Sequence, residues 1–297
     1  MRFLIFAFIF CFTGLTNAQS AAKMYDYDAP TLIGNLPSEL DEISGLSVAP
    51  GHRNELLAVQ DEKGKIFRLN AKTGGLLWAI TFWKDGDYEA IEAVGEDIWV
   101  AKNTGTLYHV TGAGTPRQNV EKYNTELTGE NDVEGLAYDK KGDRLLLACK
   151  RDARGDGNDK NGRYIYAFDL ASKTLSEDPV YAIERAAVKD FLAACEKTTE
   201  HEKLCDFFLE RDEYDLAPSA IAIHPVTGQL FITSSVGKVL MVLNPDGRID
   251  HLQRLNKKLF AQPEGLAFGD DGTLFISTEK KKTANAKVYR LAYLSRK

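Results

Sequence analysis

Short apolar runs alternate with turn residues along the whole chain, and one of these runs recurs five times. Its copies read SGLSV, EAIEA, EGLAY, SAIAI and EGLAF, and they begin at Ser44, Glu89, Glu134, Ser219 and Glu264. Successive copies begin 45, 45, 85 and 45 residues apart, so one unit is repeated and one interval carries an insertion. A repeat of about 40 to 50 residues built from short strands is typical of a propeller blade.

The residues after each copy predict the same series of strands. A turn containing Gly or Asp follows the first run, and then come a second run such as DIWVAK and a third such as KVYRLA. Branched and aromatic residues in these runs favour antiparallel strands. We therefore predict an all-β fold, a five-bladed β-propeller. The last repeat has room for three strands only, and the run near residues 31–36 is predicted to close that blade.

The long interval predicts a helical insertion at about residues 185–215. Apolar residues recur there at helical spacing, first Val188, Phe191, Leu192 and Cys195, and then Leu204, Phe207 and Phe208. The alternative fold has six blades, but a sixth blade would need three or four strands in this interval, where the pattern predicts none. Cys195 and Cys205 are predicted to form a disulfide that ties the two helices together.

The amino terminus has the pattern of a secretory signal peptide over residues 1–18. Arg2 precedes an apolar run from Phe3 to Phe12, and small residues follow up to Ala18. The run is too short to anchor the chain in a bilayer, so no transmembrane segment is predicted. We expect a cleaved leader, a periplasmic or secreted protein, and a single propeller domain over residues 19–297.

Charge limits the classes of partner. The formal net charge is −6, and basic residues are scattered among acidic ones. A contiguous basic face is needed to neutralise phosphates, so nucleic acid is not expected as a partner. The five histidines do not pair with Ser or Cys in a recognisable nucleophile arrangement, so no catalytic residue is predicted. We expect a monomer.

One face of the propeller is predicted to gather polar residues from every blade. The start of the first strand and the end of the second lie at the same edge of an antiparallel sheet. This places the five repeat-initial residues beside loop residues that include Asp61, Asn103, Lys150, Ser235 and Glu279. Three of the repeat-initial residues would converge on one channel, namely Glu89, Glu134 and Glu264. Burying unpaired carboxylates costs free energy, so a positively charged partner is expected there.

Carboxylate and hydroxyl oxygens are hard ligands that suit Ca²⁺. We therefore predict a Ca²⁺ site at Glu89, Glu134 and Glu264, with Ser44, Ser219, Asp61, Asn103 and Glu279 as candidates on the same face. The alternative is that the glutamates cap backbone N–H groups at the mouth of the channel.

The segments DVEGLAYD, PSAIAIHPVTGQLFITSS and QPEGLAFGDDGTLFIST resemble the SdiA-regulated family of exported bacterial proteins, which are distant relatives of NHL-repeat propellers. The resemblance implies a five-bladed propeller with bound Ca²⁺ and no established biochemical activity. The matching positions for the ion are Glu89, Glu134 and Glu264, whereas Ser44 and Ser219 depart from a ring of carboxylates.

Three interpretations stay open at this point, and in the third of them the ion only closes the ring. The first is a binding module that recognises a protein or small ligand at the Glu-lined face, with Ca²⁺ holding the central loops. The second is a Ca²⁺-dependent hydrolase of the lactonase or phosphotriesterase type, in which the ion polarises a carbonyl or phosphoryl oxygen. We lean towards the protein not being an enzyme.

Overall fold

The computed structural model describes residues 24–151, 161–210, 214–282 and 285–294. The predicted signal peptide, residues 1–18, lies outside these ranges and stays a prediction. None of the helices in the described ranges has the length and apolar character needed to cross a membrane.

The described chain forms five antiparallel sheets, and no strand is shared between them. It starts with β1 (Thr31–Asn35), which belongs to the last sheet, and a 3-10 turn at Ser38–Leu40. Blade 1 contains β2 (Ile43–Val48), β3 (Glu55–Gln60), β4 (Lys65–Asn70) and β5 (Leu76–Thr81). Blade 2 contains β6 (Tyr88–Val94), β7 (Asp97–Lys102), β8 (Leu107–Thr111) and β9 (Asn119–Tyr123).

The remaining three blades follow the same order from the axis outwards. Blade 3 contains β10 (Val133–Asp139), β11 (Arg144–Cys149), β12 (Gly162–Asp169), β13 (Thr174–Leu175) and β14 (Tyr181–Glu184). Blade 4 contains β15 (Pro218–Ile223), β16 (Leu230–Ser234), β17 (Val239–Leu243) and β18 (Ile249–Arg254). Blade 5 contains β19 (Pro263–Phe268), β20 (Leu274–Thr278) and β21 (Lys287–Leu291), with β1 as its outermost strand.

The first strands of the blades form a closed ring. Each of β2, β6, β10, β15 and β19 packs against the next, and β19 packs against β2. The predicted five-bladed propeller is therefore confirmed, and the six-bladed alternative is excluded. Blade 5 is completed by β1, which pairs antiparallel with β21 from Thr31 opposite Arg290 to Asn35 opposite Lys287.

Each interface between neighbouring blades has its own apolar core. Blades 1 and 2, for example, enclose Val59, Ile66, Ile91 and Val100, all almost completely buried. This arrangement follows from the sequence pattern, because β-strands covered on both faces need apolar residues at successive positions rather than at alternate ones. β16, LFITS, and β17, VLMVL, are buried at every position.

The predicted helical insertion is confirmed as two helices, α1 (Arg185–Ala194) and α2 (Thr199–Phe208). Val188 and Leu192 of α1 and Phe207 and Phe208 of α2 join the core between blades 3 and 4. The hydroxyl oxygen of Thr198 accepts a hydrogen bond from the backbone N–H of His201 at 3.1 Å, which caps the first turn of α2. The insertion thus covers one blade interface.

The predicted disulfide is not formed in this structure, where Cys195 and Cys205 are free thiols. Each sulfur instead contacts a group on its own side of the helix pair. The Cys195 thiol donates to the Phe191 carbonyl oxygen at 3.2 Å, and the Cys205 sulfur lies 3.6 Å from His201 Nε2. Helical spacing correctly placed both residues in the insertion, but spacing does not determine the direction of a side chain.

The ring requires very small residues immediately after the repeat-initial position, where neighbouring inner strands come closest. A Cβ atom at Gly45 would lie 2.9 Å from both Ala90 Cα and Ile91 N of β6. Gly265 is equally tight, because its Cβ would lie 2.7 Å from Leu46 Cβ. Both neighbours belong to the adjoining inner strand, so a larger residue would push two blades apart.

We expect Gly45→Ala to lower the free energy of unfolding by about 1 to 3 kcal/mol, since an added methyl group would overpack the contact between β2 and β6. Urea denaturation followed by circular dichroism would measure the change. Gly129→Ala is the matched control, because a Cβ at Gly129 meets no atom within 4 Å. Equal denaturation midpoints for the two variants would contradict this account of ring closure.

Candidate metal centre at the channel mouth

In every blade the repeat-initial residue occupies a β-bulge. The pairing between the first and second strands shifts by one residue at this position, so that one residue of the first strand has no partner opposite it. The five unpaired residues are Ser44, Glu89, Glu134, Ser219 and Glu264. A bulge re-aims a side chain away from the alternation of the strand. The same bulge therefore occurs at all five repeat-initial residues, which are the markers of the five blades.

The ends of the second strands lie beside these bulges, as predicted. In four blades the backbone N–H after the second strand donates to the carbonyl oxygen of the residue two before the marker. The donor and acceptor residues are Asp61 and Glu42 (3.4 Å), Asn103 and Asp87 (3.3 Å), Lys150 and Asp132 (2.8 Å), and Glu279 and Gln262 (3.0 Å). This repeated bond fixes both sets of polar residues on one face of the propeller.

Charge interactions show that the three predicted glutamates share one environment. Burial, and then the negative charges of Glu134 and Asp61, raise the pKa of Glu89 to about 8. Burial, and then the charges of Glu134 and Glu279, raise the pKa of Glu264 well above its usual range. Glu134 thus acts on both of the others, and it is itself buried, as is Glu264.

Two further carboxyl groups belong to this acidic cluster. Burial, followed by the charges of Asp61 and Glu42, raises the pKa of Glu279 to about 7. Burial, followed by the charges of Glu42, Glu62 and Asp87, raises the pKa of Asp61 to about 6. Asp61 Oδ1 is buried and has no hydrogen-bond partner. The candidates Asp61 and Glu279 are therefore brought to the glutamates.

Lys150 is a basic residue whose charge acts on several members of this cluster. Its Nζ forms a hydrogen-bonded ion pair with Glu134 Oε1. The pKa of Glu134 is raised to about 6 by burial, and the charge of Lys150 opposes that rise. Lys150 also opposes the rise in the pKa of Glu89, Glu264 and Glu279. The Lys150 ammonium group thus opposes the rise in the pKa of four carboxyl groups. This role was not predicted from the sequence.

The remaining candidates on this face are occupied by local hydrogen bonds. The Asn103 amide Nδ2 donates to Asp87 Oδ2 at 2.7 Å. The Ser219 hydroxyl donates to the Pro263 carbonyl oxygen at 2.7 Å and so connects blades 4 and 5. The Ser44 hydroxyl lies 3.4 Å from the Glu42 carbonyl oxygen. These three side chains stabilise the rim of the channel.

Sequence reasoning missed the polar residues two positions before the markers. They are Glu42, Asp87, Asp132 and Gln262. Asp132 Oδ2 accepts from Arg151 Nε at 3.1 Å, and Gln262 Nε2 donates to Glu279 Oε2. These residues follow the same repeat as the markers, so their spacing could have identified them. They precede the apolar run by which the repeat was recognised.

The carboxyl groups at the channel mouth offer oxygen atoms, the kind of ligand that calcium takes. Their donor atoms are carboxylate oxygens, one of which, Asp61 Oδ1, is buried and unpaired. Within the part of the chain that the structure describes, however, no three Asp, Glu, His or Cys side chains already stand as a group that could hold a metal ion. The predicted ligand set of Glu89, Glu134 and Glu264 stays a prediction.

Part of the chain resembles a known family. The family model described as SdiA-regulated matches residues 21–155. The resemblance to the SdiA-regulated family is confirmed. The matched segment contains the markers Ser44, Glu89 and Glu134 and the lysine that pairs with Glu134. No curated protein matches the chain.

The chain is similar to several solved structures at low sequence identity. Glutaminyl cyclase from Myxococcus xanthus is 13% identical with a TM-score of 0.56, over 90% of this chain and 97% of that one. A gluconolactonase from Xanthomonas campestris is 13% identical with a TM-score of 0.48, over 84% and 72%. A luciferin-regenerating enzyme is 12% identical with a TM-score of 0.49, over 90% and 96%. At such identities the similarity concerns the fold alone.

The raised pKa values predict how stability depends on pH when metal is absent. A carboxyl group whose pKa is higher in the folded state than in the unfolded state binds protons more tightly on folding. Its contribution is complete below the unfolded pKa, near 4.5, and is lost as the pH rises through the folded pKa. For Glu89, Glu279 and Glu134 this window extends from about pH 4.5 to about pH 8.

We therefore expect the melting temperature in EDTA to fall as the pH rises from 5 to 8. Glu89→Gln should flatten this dependence and should melt at a higher temperature than the wild type at pH 8, because it removes a buried charge. Glu177→Gln, at an exposed position, is the control and should follow the wild type. A melting temperature that rises between pH 5 and 8 in the wild type would refute the prediction.

Proposed function

We propose that the protein is a calcium-binding propeller that recognises a protein or small ligand at its Glu-lined face. The observation that carries the proposal is the concentration of five carboxyl groups, Asp61, Glu89, Glu134, Glu264 and Glu279, and the charge of Lys150 acts on the last four of them. Burial and mutual repulsion raise the pKa of these groups. A divalent cation would remove that repulsion directly.

Glu89, Glu134 and Glu264 would hold the ion, and Asp61 and Glu279 would adjust the charge around it. Calcium takes six to eight oxygen ligands, and its affinity rises with the number of charged ligands. The bulges contribute by keeping the three carboxylates on separate blades but on one face. Lys150 balances part of the negative charge, so an ion bound to Glu134 would compete with the Lys150 ammonium for the same oxygen.

The ligand-binding role follows from where these residues lie. Loops from all five blades meet at this face, and an ion that joined residues from blades 2, 3 and 5 would fix their relative positions. The rim is polar and carries both signs of charge, with Arg151 beside Asp132 and Lys280 beside Asp41. We propose that the protein is exported, acts in the periplasm or outside the cell, and works as a monomer.

We expect CaCl₂ to raise the melting temperature of the wild type at pH 8, since a ligand that binds only the folded state stabilises it by RT ln(1 + [L]/Kd). Calorimetric titration in two buffers of different ionisation enthalpy should also show protons released on binding, because the carboxyl groups must be ionised to act as ligands. MgCl₂ should give a smaller shift, since it demands a stricter octahedral geometry.

Glu134→Gln and Glu264→Gln should each weaken calcium binding at least tenfold, whereas Glu177→Gln should bind as the wild type does. A wild type whose melting temperature and heat signal do not respond to calcium would disprove the metal site. The same purified proteins should be assayed with lactones and phosphotriesters. If the wild type shows calcium-dependent turnover and Glu134→Gln abolishes it, the protein is a hydrolase and not a binding module.

A further inference from the structure

A second polar site lies at the opposite end of the channel from the acidic cluster. The hairpin turns that follow the first strands of the blades surround a cavity of about 1320 Å³ there. This volume exceeds the roughly 300 to 1,000 Å³ of ordinary small-molecule pockets. Its wall includes Glu92 and Ser47 from the inner strands, together with Val48, Tyr138 and Phe268.

Glu92 breaks the repeat at a position where the other blades carry small residues. It lies three residues after its marker, and the equivalent residues are Ser47, Ala137, Ala222 and Ala267. All four of these are buried. At this position of the inner strands, four blades carry a side chain no larger than that of serine. The packing of the ring therefore does not explain the glutamate in blade 2.

Neighbouring inner strands hold the Glu92 carboxylate in place. Its Oε1 accepts from the Ser47 hydroxyl of β2 at 3.0 Å and from the Ala93 backbone N–H at 3.0 Å. The Tyr138 backbone N–H of β10 also donates to this carboxyl group. These contacts fix the side chain at the wall of the cavity, but all of them are neutral donors, which a glutamine oxygen would satisfy equally well.

Among the described residues, no positively charged side chain is found to influence the Glu92 carboxylate. Burial raises the pKa of Glu92 to about 7, and only the hydrogen bonds from Ser47, Ala93 and Tyr138 oppose that rise. Lys140 and Lys141 also line the cavity, but the charge of neither acts on Glu92. The two arginines of the lining have other partners. Arg144 Nε lies 2.8 Å from Asp139 Oδ2, and Arg53 Nε lies 3.4 Å from Asp270 Oδ2.

We propose that the cavity binds a small molecule in which an ammonium group is joined to an apolar body. The ammonium group would pair with the Glu92 carboxylate, and the apolar body would contact Val48, Tyr138 and Phe268 on the wall. Glu92 is half-buried, and a carboxylate partly removed from water without a counter-ion costs stability. A cationic ligand would offset that cost where a neutral one would not. The site is independent of the calcium proposal, because the two lie at opposite ends of the channel.

The proposal is tested with 2-phenylethylamine and with 2-phenylethanol, which has the same apolar body but no charge. Calorimetric titration of the full protein at pH 8 in EDTA excludes any contribution from a divalent cation. We expect the wild type to bind the amine at least tenfold more tightly than the alcohol. Glu92→Gln should keep its hydrogen bonds and its fold, and should lose this preference.

Glu96→Gln is the matched control, since Glu96 is exposed in the hairpin turn just after β6 and does not line the cavity. It should retain the tenfold preference for the amine. Three results would each overturn the proposal. They are a wild type that binds neither compound, a wild type that binds both equally, and a Glu92→Gln variant that still prefers the amine.

Discussion

Close approach of the five inner strands around one axis is the constraint on which the rest of the structure depends. Each inner strand packs against two others, and Gly45 and Gly265 leave no space for a Cβ atom beside the next strand. Strands this close cannot direct large side chains at one another. At the start of each inner strand a bulge leaves one residue, the marker, without a partner opposite it, which re-aims that side chain out of the alternation of the strand.

This geometry also concentrates charge. Five equivalent positions converge at one mouth, so every acidic residue placed at or near a marker approaches the acidic residues of the other blades. Glu134 illustrates the result, since its charge raises the pKa of both Glu89 and Glu264, while the charge of Lys150 opposes the rise in the pKa of all three. In a fold without rotational repetition, the same residues along the sequence would lie on separate surfaces and would not influence one another.

The sequence predicted the fold well because a blade imposes the same pattern wherever it occurs. The interval between Ser44 and Glu89 was sufficient to indicate the unit, and α1 and α2 followed from the apolar spacing of Val188, Leu192, Phe207 and Phe208. The meeting of marker and loop residues was also predictable, since antiparallel strands bring them to one edge.

Other features of the site depend on three-dimensional detail. The pairing of Lys150 with Glu134 reflects side chains that reach across two neighbouring strands, and no periodicity marks it. The bulges are shifts in backbone register, which depend on packing between blades rather than on the residue that bulges, since Ser44 and Glu89 share the same geometry. The free thiols of Cys195 and Cys205 likewise depend on side-chain direction.

The pairing of β1 with β21 joins residues from the two ends of the described chain, more than 250 positions apart in sequence. During synthesis β1 stays without its partner strand until β21 has emerged, so blade 5 is incomplete for most of the elongation of the chain. Non-local contacts of this kind slow folding. Completion of blade 5 is thus a late event that depends on β21, and a chain truncated before β21 would leave β1 unpaired rather than form a smaller version of the fold.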